Sequence, residues 1–135
     1  MQSLERWHEL VAQQDPTGLA EILAEDCVFY SPLVHAPQPG RDLTTWYLTG
    51  AMQVFNESFH YVKEVVTETH AVLEFECVVD GITINGVDII TCDDADRIVE
   101  FRVMLRPLQA VNLMHQKMAA MLEKLGGLPA GQPAR

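Results

Sequence analysis

The sequence predicts an α+β domain, with helices packed on one face of a strongly curved antiparallel sheet. Three observations carry this. Up to residue 54, apolar residues recur at helical spacing in three stretches. Residues 59–106 change to segments rich in Val, Ile, Phe and Thr, broken by turn signals. Beyond Pro107 an apolar stripe at steps of three and four returns. Helices first and a meander of strands afterwards is the order of an α+β fold, not of alternating βαβ units.

Each element has its own signals. Ser3 can cap a first helix that carries Leu4, Trp7 and Val11 on one face. Asp15 and Pro16 read as a fresh N-cap and first helical position, with Leu19, Ile22 and Leu23 as the apolar side of a short second helix. Asp26 is expected to end it, leaving CVFY at 27–30 as a short strand. Pro32, Pro37, Pro39 and Gly40 mark a loop. Asp42 can cap a third helix that turns Leu43, Trp46, Tyr47 and Val54 inward. Strands are expected over 59–69, 70–80, 82–92 and 97–106, with Asp80-Gly81 as one hairpin turn and the acidic run 93–96 as another. Neighbours joined this way pair antiparallel. Pro107 has no N–H for a ladder and should interrupt the last one. A C-terminal helix then places Val111, Met114, Met118, Met121, Leu122 and Leu125 on one face, and Gly126-Gly127 should stop it. Residues 1–125 read as one domain and 126–135 as a flexible tail.

Composition narrows the function classes. The 135 residues are 48% apolar and 21% charged, a globular balance. Nineteen acidic against nine basic residues give a net charge of −10. Such a chain offers no electrostatic footprint for nucleic acid and is repelled by anionic membranes. No run approaches the ~18 apolar residues of a membrane span, and the first nine residues show no apolar leader segment. Cys27, Cys77 and Cys92 form no CxxC pair and read as buried thiols of a cytoplasmic protein. The histidines (His8, His35, His60, His70 and His115) show no HxH or HxxxH spacing, so no metal is expected. No GxSxG, P-loop or GxGxxG pattern occurs, so no cofactor is expected.

Several segments together resemble the NTF2-like superfamily. Trp7 lies eight residues before Asp15, LAEDCVFYSP fills residues 23–32, and PGR stands at 39–41 ahead of the third helix. GVDII at 86–90 and RIVEF at 97–101 are similar to the last hairpin of that family. The texture is nearest to SnoaL-like and ketosteroid-isomerase-like members, over residues 4–106. The resemblance implies a cone in which three N-terminal helices close against a bent sheet around an apolar pocket. It also implies a homodimer formed through the outer face of the sheet.

In ketosteroid isomerases the pocket holds an Asp base, a Tyr and a protonated Asp. By the resemblance, the protonated-Asp position falls on Asp88, the tyrosine position on Trp7 and the base position on Ser31. Trp7 cannot accept a proton and Ser31 has no useful basicity, so that standard mechanism is not expected here.

Asp88 is the candidate catalytic residue. It stands between Val87 and Ile89, where an acid is disfavoured. Inside the pocket, desolvation would raise its pKa. Neutral, it would donate a hydrogen bond to a carbonyl; ionised, it would take a carbon-bound proton. The alternative is an Asp88 that faces solvent or caps a turn. Strand alternation from an inward Asp88 adds Ile90 and Cys92, and the second long strand adds Leu73, Phe75 and Cys77. The resemblance adds Phe101, Val103 and Leu105 as pocket wall, leaving Glu100, Arg102 and Met104 outward. Tyr30 and His35, near the expected mouth, are candidates for a second acid or base, though His35 also fits an exposed loop. Trp46 and Tyr47 read as core and pocket wall. The expected function is acid–base chemistry on a small apolar carbonyl compound, as an isomerase, lyase or cyclase. The alternatives are a non-catalytic binder of a hydrophobic molecule and a dimeric interaction module with a filled cone.

Overall fold

Leu4, Trp7 and Leu10 bury one side of α1 (Gln2–Gln13). The computed structural model describes residues 1–126. Met1 rather than Ser3 stands at the N-cap of α1. Ser3 is buried instead, its amide on Asp96 Oδ2 and its hydroxyl on the Asp96 carbonyl, so the helix start is pinned to the turn at 93–96. Asp15 accepts the Thr17 N–H and caps the 3-10 turn Pro16–Gly18, which leads into α2 (Leu19–Ile22). The strand β1 (Leu23–Tyr30) starts four residues earlier than the sequence suggests. Its early residues Leu23, Ala24 and Cys27 bury against the core, and pairing with a neighbouring strand overrides helical spacing there.

The loop folds back as β2 (Gln38–Pro39), paired to β1. Gly40, at φ 100, caps α3 (Arg41–Val54) in a conformation that suits glycine, so Asp42 falls in the first turn rather than at the cap. The meander follows as β3 (His60–Val66), β4 (His70–Val79), β5 (Ile82–Cys92) and β6 (Ile98–Arg106). Asp80 at φ 51 and Gly81 at φ 77 make the β4–β5 turn with both central residues left-handed. Pro107 ends β6 and opens α4 (Leu108–Lys124). The buried side of α4 is Ala110, Met114, Met118 and Leu122; Val111 and Met121 are half-buried and Leu125 is exposed, so the stripe is rotated from the expected one.

The curved sheet has the order β2-β1-β6-β5-β4-β3. It is mixed rather than wholly antiparallel, because β1 lies parallel to β6. Three rows cross the inner face of β4, β5 and β6: Ala71–Ile90–Phe101, Leu73–Asp88–Val103 and Phe75–Gly86–Leu105. The helices cover this face. The α3–α4 contact is close at Gly50, where an added Cβ would lie 2.9 Å from Leu122 and 3.3 Å from Met118. No helix among the described residues is long and apolar enough to cross a membrane. The expected tail lies, from residue 127 on, outside the described residues.

Candidate functional site

Between the inner face of the sheet and the helices lies a cavity of about 150 Å³. All five phenylalanines of the chain line it: Phe29, Phe55, Phe59, Phe75 and Phe101. Phe29 stacks on Tyr47 at 5.2 Å, Phe59 stacks on Phe75 at 4.9 Å, and Trp7 meets Phe101 edge-on at 4.9 Å. These ring contacts set the walls, and aromatic faces favour flat apolar guests. The volume is near the ~150 Å³ of an apolar cavity that accepts benzene, and below the ~300–1,000 Å³ of clefts for drug-sized ligands.

Asp88 sits in the middle row of the inner face and lines this cavity, 5% exposed. Its Oδ2 accepts the Tyr61 hydroxyl at 2.6 Å, and the Tyr61 oxygen in turn accepts Trp7 Nε1–H at 2.9 Å. Tyr61 shares a row with Phe75, on β3, and its side chain reaches across β4 to the carboxylate on β5. Oδ1 has no protein partner among the described residues and is the oxygen left for a guest. Burial raises the Asp88 pKa from 3.8 to about 7, and the Tyr61 hydrogen bond opposes the rise. Burial, then the nearby Asp88 charge, pushes Tyr61 well above the ordinary tyrosine range, so Tyr61 stays a donor. The arrangement therefore supplies one carboxyl group that exchanges a proton near neutral pH inside an apolar hollow.

The other expected residues divide. Trp7, Ser31, Tyr47, Phe75, Phe101, Val103 and Leu105 line the cavity with Asp88. Ser31 Oγ accepts the Leu33 N–H and keeps its own proton to donate. Trp7 spends its N–H on Tyr61, not on the cavity. Ile90 is 1% exposed, but it lies in the core beside the cavity rather than in its wall. Tyr30 points the other way from Phe29 and lies under the Arg102 guanidinium, 3.9 Å from the ring centre, on the outer face. His35 is exposed and outside the lining, because the loop presents Pro32, Leu33 and Val34 to the cavity before turning to pair Gln38. Trp46 packs edge-on against Tyr47 at 5.1 Å without reaching the cavity. About 100° separates successive helical residues, so only one of the pair faces in.

Two residues escaped the sequence reading. Tyr61 belongs to a strand that is otherwise exposed, and its role depends on a partner two strands away. The one signal was an aromatic at the start of a polar strand. His115, on α4, lines the cavity although it is exposed. No group of three or more His, Cys, Asp or Glu among the described residues could hold a metal ion.

Comparisons with known proteins bear on the family and the fold. A model of the SnoaL-like domain matches residues 4–101. A steroid delta-isomerase from Pseudomonas aeruginosa has 34% identity and a TM-score of 0.87, over 91% of this chain and 90% of its own. An uncharacterised protein with a cystatin-like fold from Silicibacter pomeroyi has 33% identity and a TM-score of 0.82, over 87% and 83% of the two chains. An NTF2-like protein of unknown function from Mesorhizobium loti has 21% identity and a TM-score of 0.70, over 78% and 89%, which shows the fold alone. No curated protein matches. With a helix-covered bent sheet around an apolar hollow, an NTF2-like fold, and the domain match across most of its length, the chain belongs to the SnoaL-like family.

Proposed function

We propose that this chain is an acid–base enzyme that moves a proton on a small apolar carbonyl compound, in the manner of an isomerase or cyclase. The observation that carries the reading is Asp88: a buried carboxyl in an aromatic-walled cavity, with one oxygen held by Tyr61 and the other without a protein partner among the described residues. The steroid delta-isomerase relative supports the reaction class. The cavity supports a smaller guest, a single ring or the leading ring of a larger molecule.

The chemistry follows from the groups present. A β,γ-unsaturated ketone carries an acidic C–H between its carbonyl and its double bond. Ionised Asp88 takes that proton on Oδ1, the C–H bond breaks, and the electron pair passes into a dienolate. Ser31 is the cavity donor with a free proton for the carbonyl oxygen. Asp88 then returns the proton to the γ carbon, and the product is the conjugated ketone with Asp88 ionised again. Apolar walls keep water from quenching the dienolate.

The test compares the protein with Asp88→Asn on 3-cyclohexen-1-one, whose conversion to the conjugated enone is followed by ultraviolet absorbance. Turnover should fall by about 10²–10⁴-fold while the product enone still binds. Equal turnover in the two proteins would remove Asp88 from the reaction. Binding without turnover in either would leave the cavity as a hydrophobic-ligand site.

A further inference from the structure

We infer that His115 selects the guest at the cavity mouth, by donating a hydrogen bond to an oxygen acceptor at the end of the molecule remote from Asp88. The inference rests on the cavity being the ligand site, and it narrows the guest to an apolar ring that bears a carboxylate or second carbonyl.

The family match stops at residue 101, and α4 lies beyond it. Yet α4 supplies five lining residues: Met114, His115, Met118, Ala119 and Leu122. Met114, Met118 and Leu122 are buried, and Gly50 lets α3 hold the last two closely. His115 and Ala119 stand one position further round the same face and are exposed, which puts them at the lip. Asp88, by contrast, is on the floor. Among the described residues no Lys or Arg lines the cavity, and His115 is the basic side chain in its wall.

Among the other donors in the wall, Ser31 keeps its proton for the guest's carbonyl oxygen, and the rest are engaged. Gln14 donates to the Met52 and Phe55 carbonyls, Asn56 donates to the Val78 carbonyl, and Trp7 donates to Tyr61. His115 has no hydrogen bond or ion pair among the described residues, so its imidazole N–H is available. An acceptor at the guest's outer end meets this donor; placed at the floor, a carboxylate would face Asp88 and be repelled. One orientation follows, with the ring inward and the acceptor at the lip.

Benzoate and toluene share a ring and differ in the acceptor. Their affinities are measured by calorimetry at one pH for the unaltered protein, His115→Ala and His115→Gln. Benzoate should bind about 3–10-fold more weakly to His115→Ala, and His115→Gln should recover part of the loss. Toluene should bind all three alike. Benzoate affinity that is equal in the unaltered protein and His115→Ala overturns the inference, as does a parallel loss for toluene, which would mark His115 as merely structural. If neither probe binds the unaltered protein, the inference also falls. Turnover of 3-cyclohexen-1-one by the unaltered protein and Asp88→Asn is read separately, so a failure at His115 leaves the catalytic reading standing, and the reverse.

Discussion

On the proposed reading, Asp88 and Tyr61 set the pH at which the chain works. An aspartate with a pKa of about 7 is half ionised at neutral pH. Acting as a base, it needs the ionised form, so kcat/KM should rise with pH to a plateau, with its midpoint near that value. The same burial weakens the fold as pH climbs. Between the unfolded value of 3.8 and about 7 the folded protein holds the proton more tightly, so stability falls across that window. The Tyr61 hydroxyl stabilises the ionised carboxylate. Tyr61→Phe should therefore move the midpoint of the acid limb to higher pH and lower the rate at pH 7, with a smaller effect on the plateau. A pH–rate profile checks this; a midpoint that stays in place would show that Tyr61 does not control Asp88. Asp88 was legible in the sequence because an acid inside an apolar strand has few explanations. Tyr61 was not, because the hydrogen bond that gives it a role spans β4 and depends on sheet curvature. The β3–β4 register also shifts between Tyr61 and Lys63, so simple alternation fails where it was needed.

Alternation worked where ladders run unbroken. From the pair His70–Thr91 to the pair Val79–Ile82 the β4–β5 ladder has no shift, and Leu73, Phe75, Cys77, Ile84 and Ile90 are buried as period two requires. Tyr30 was placed at the mouth by its nearness to the Pro-rich loop rather than by alternation, which on β1 turns Phe29 in and Tyr30 out. Gly86 shows what the pattern cannot express. It occupies an inward position, and the space its side chain would take belongs to neighbours. An added Cβ would lie 2.4 Å from Phe75 Cζ, 2.8 Å from Leu105 Cδ2 and 2.8 Å from the Met104 carbonyl oxygen. The phenylalanine can swing away, but the carbonyl is backbone and cannot do so cheaply. Gly86→Ala should cost about 1–3 kcal/mol in urea unfolding and displace Phe75 toward the cavity, weakening toluene binding as well. Unchanged stability and affinity would show that β5 has slack at this point.

Among the described residues, no helix lies over one broad face of the sheet. On the outer side of the sheet, the rows Val65–Val72–Ile89–Arg102 and Lys63–Glu74–Val87–Met104 run across β3, β4, β5 and β6. They border a shallow groove of about 370 Å³. Val65, Val72 and Met104 are exposed at 57%, 37% and 51%, which is unusual for a patch with no occupant. We propose that a second copy of the chain covers this face. The charge distribution argues for it. The chain carries −10, which opposes self-association in general. Yet three of its nine basic residues, Lys63, Arg102 and Arg106, lie on this face beside Glu74, Glu76 and Glu100, so the patch is locally balanced. A two-fold pairing sets each patch against itself, so a surface with both signs around an apolar centre is self-complementary. Sedimentation at micromolar concentration should give twice the chain mass. Met104→Glu should yield the monomer, because it places an unpaired charge in the apolar centre, while the Asp88 chemistry on the opposite face continues. A wild-type monomer at that concentration would refute the pairing. A dimer that persists in Met104→Glu would move the interface to another surface.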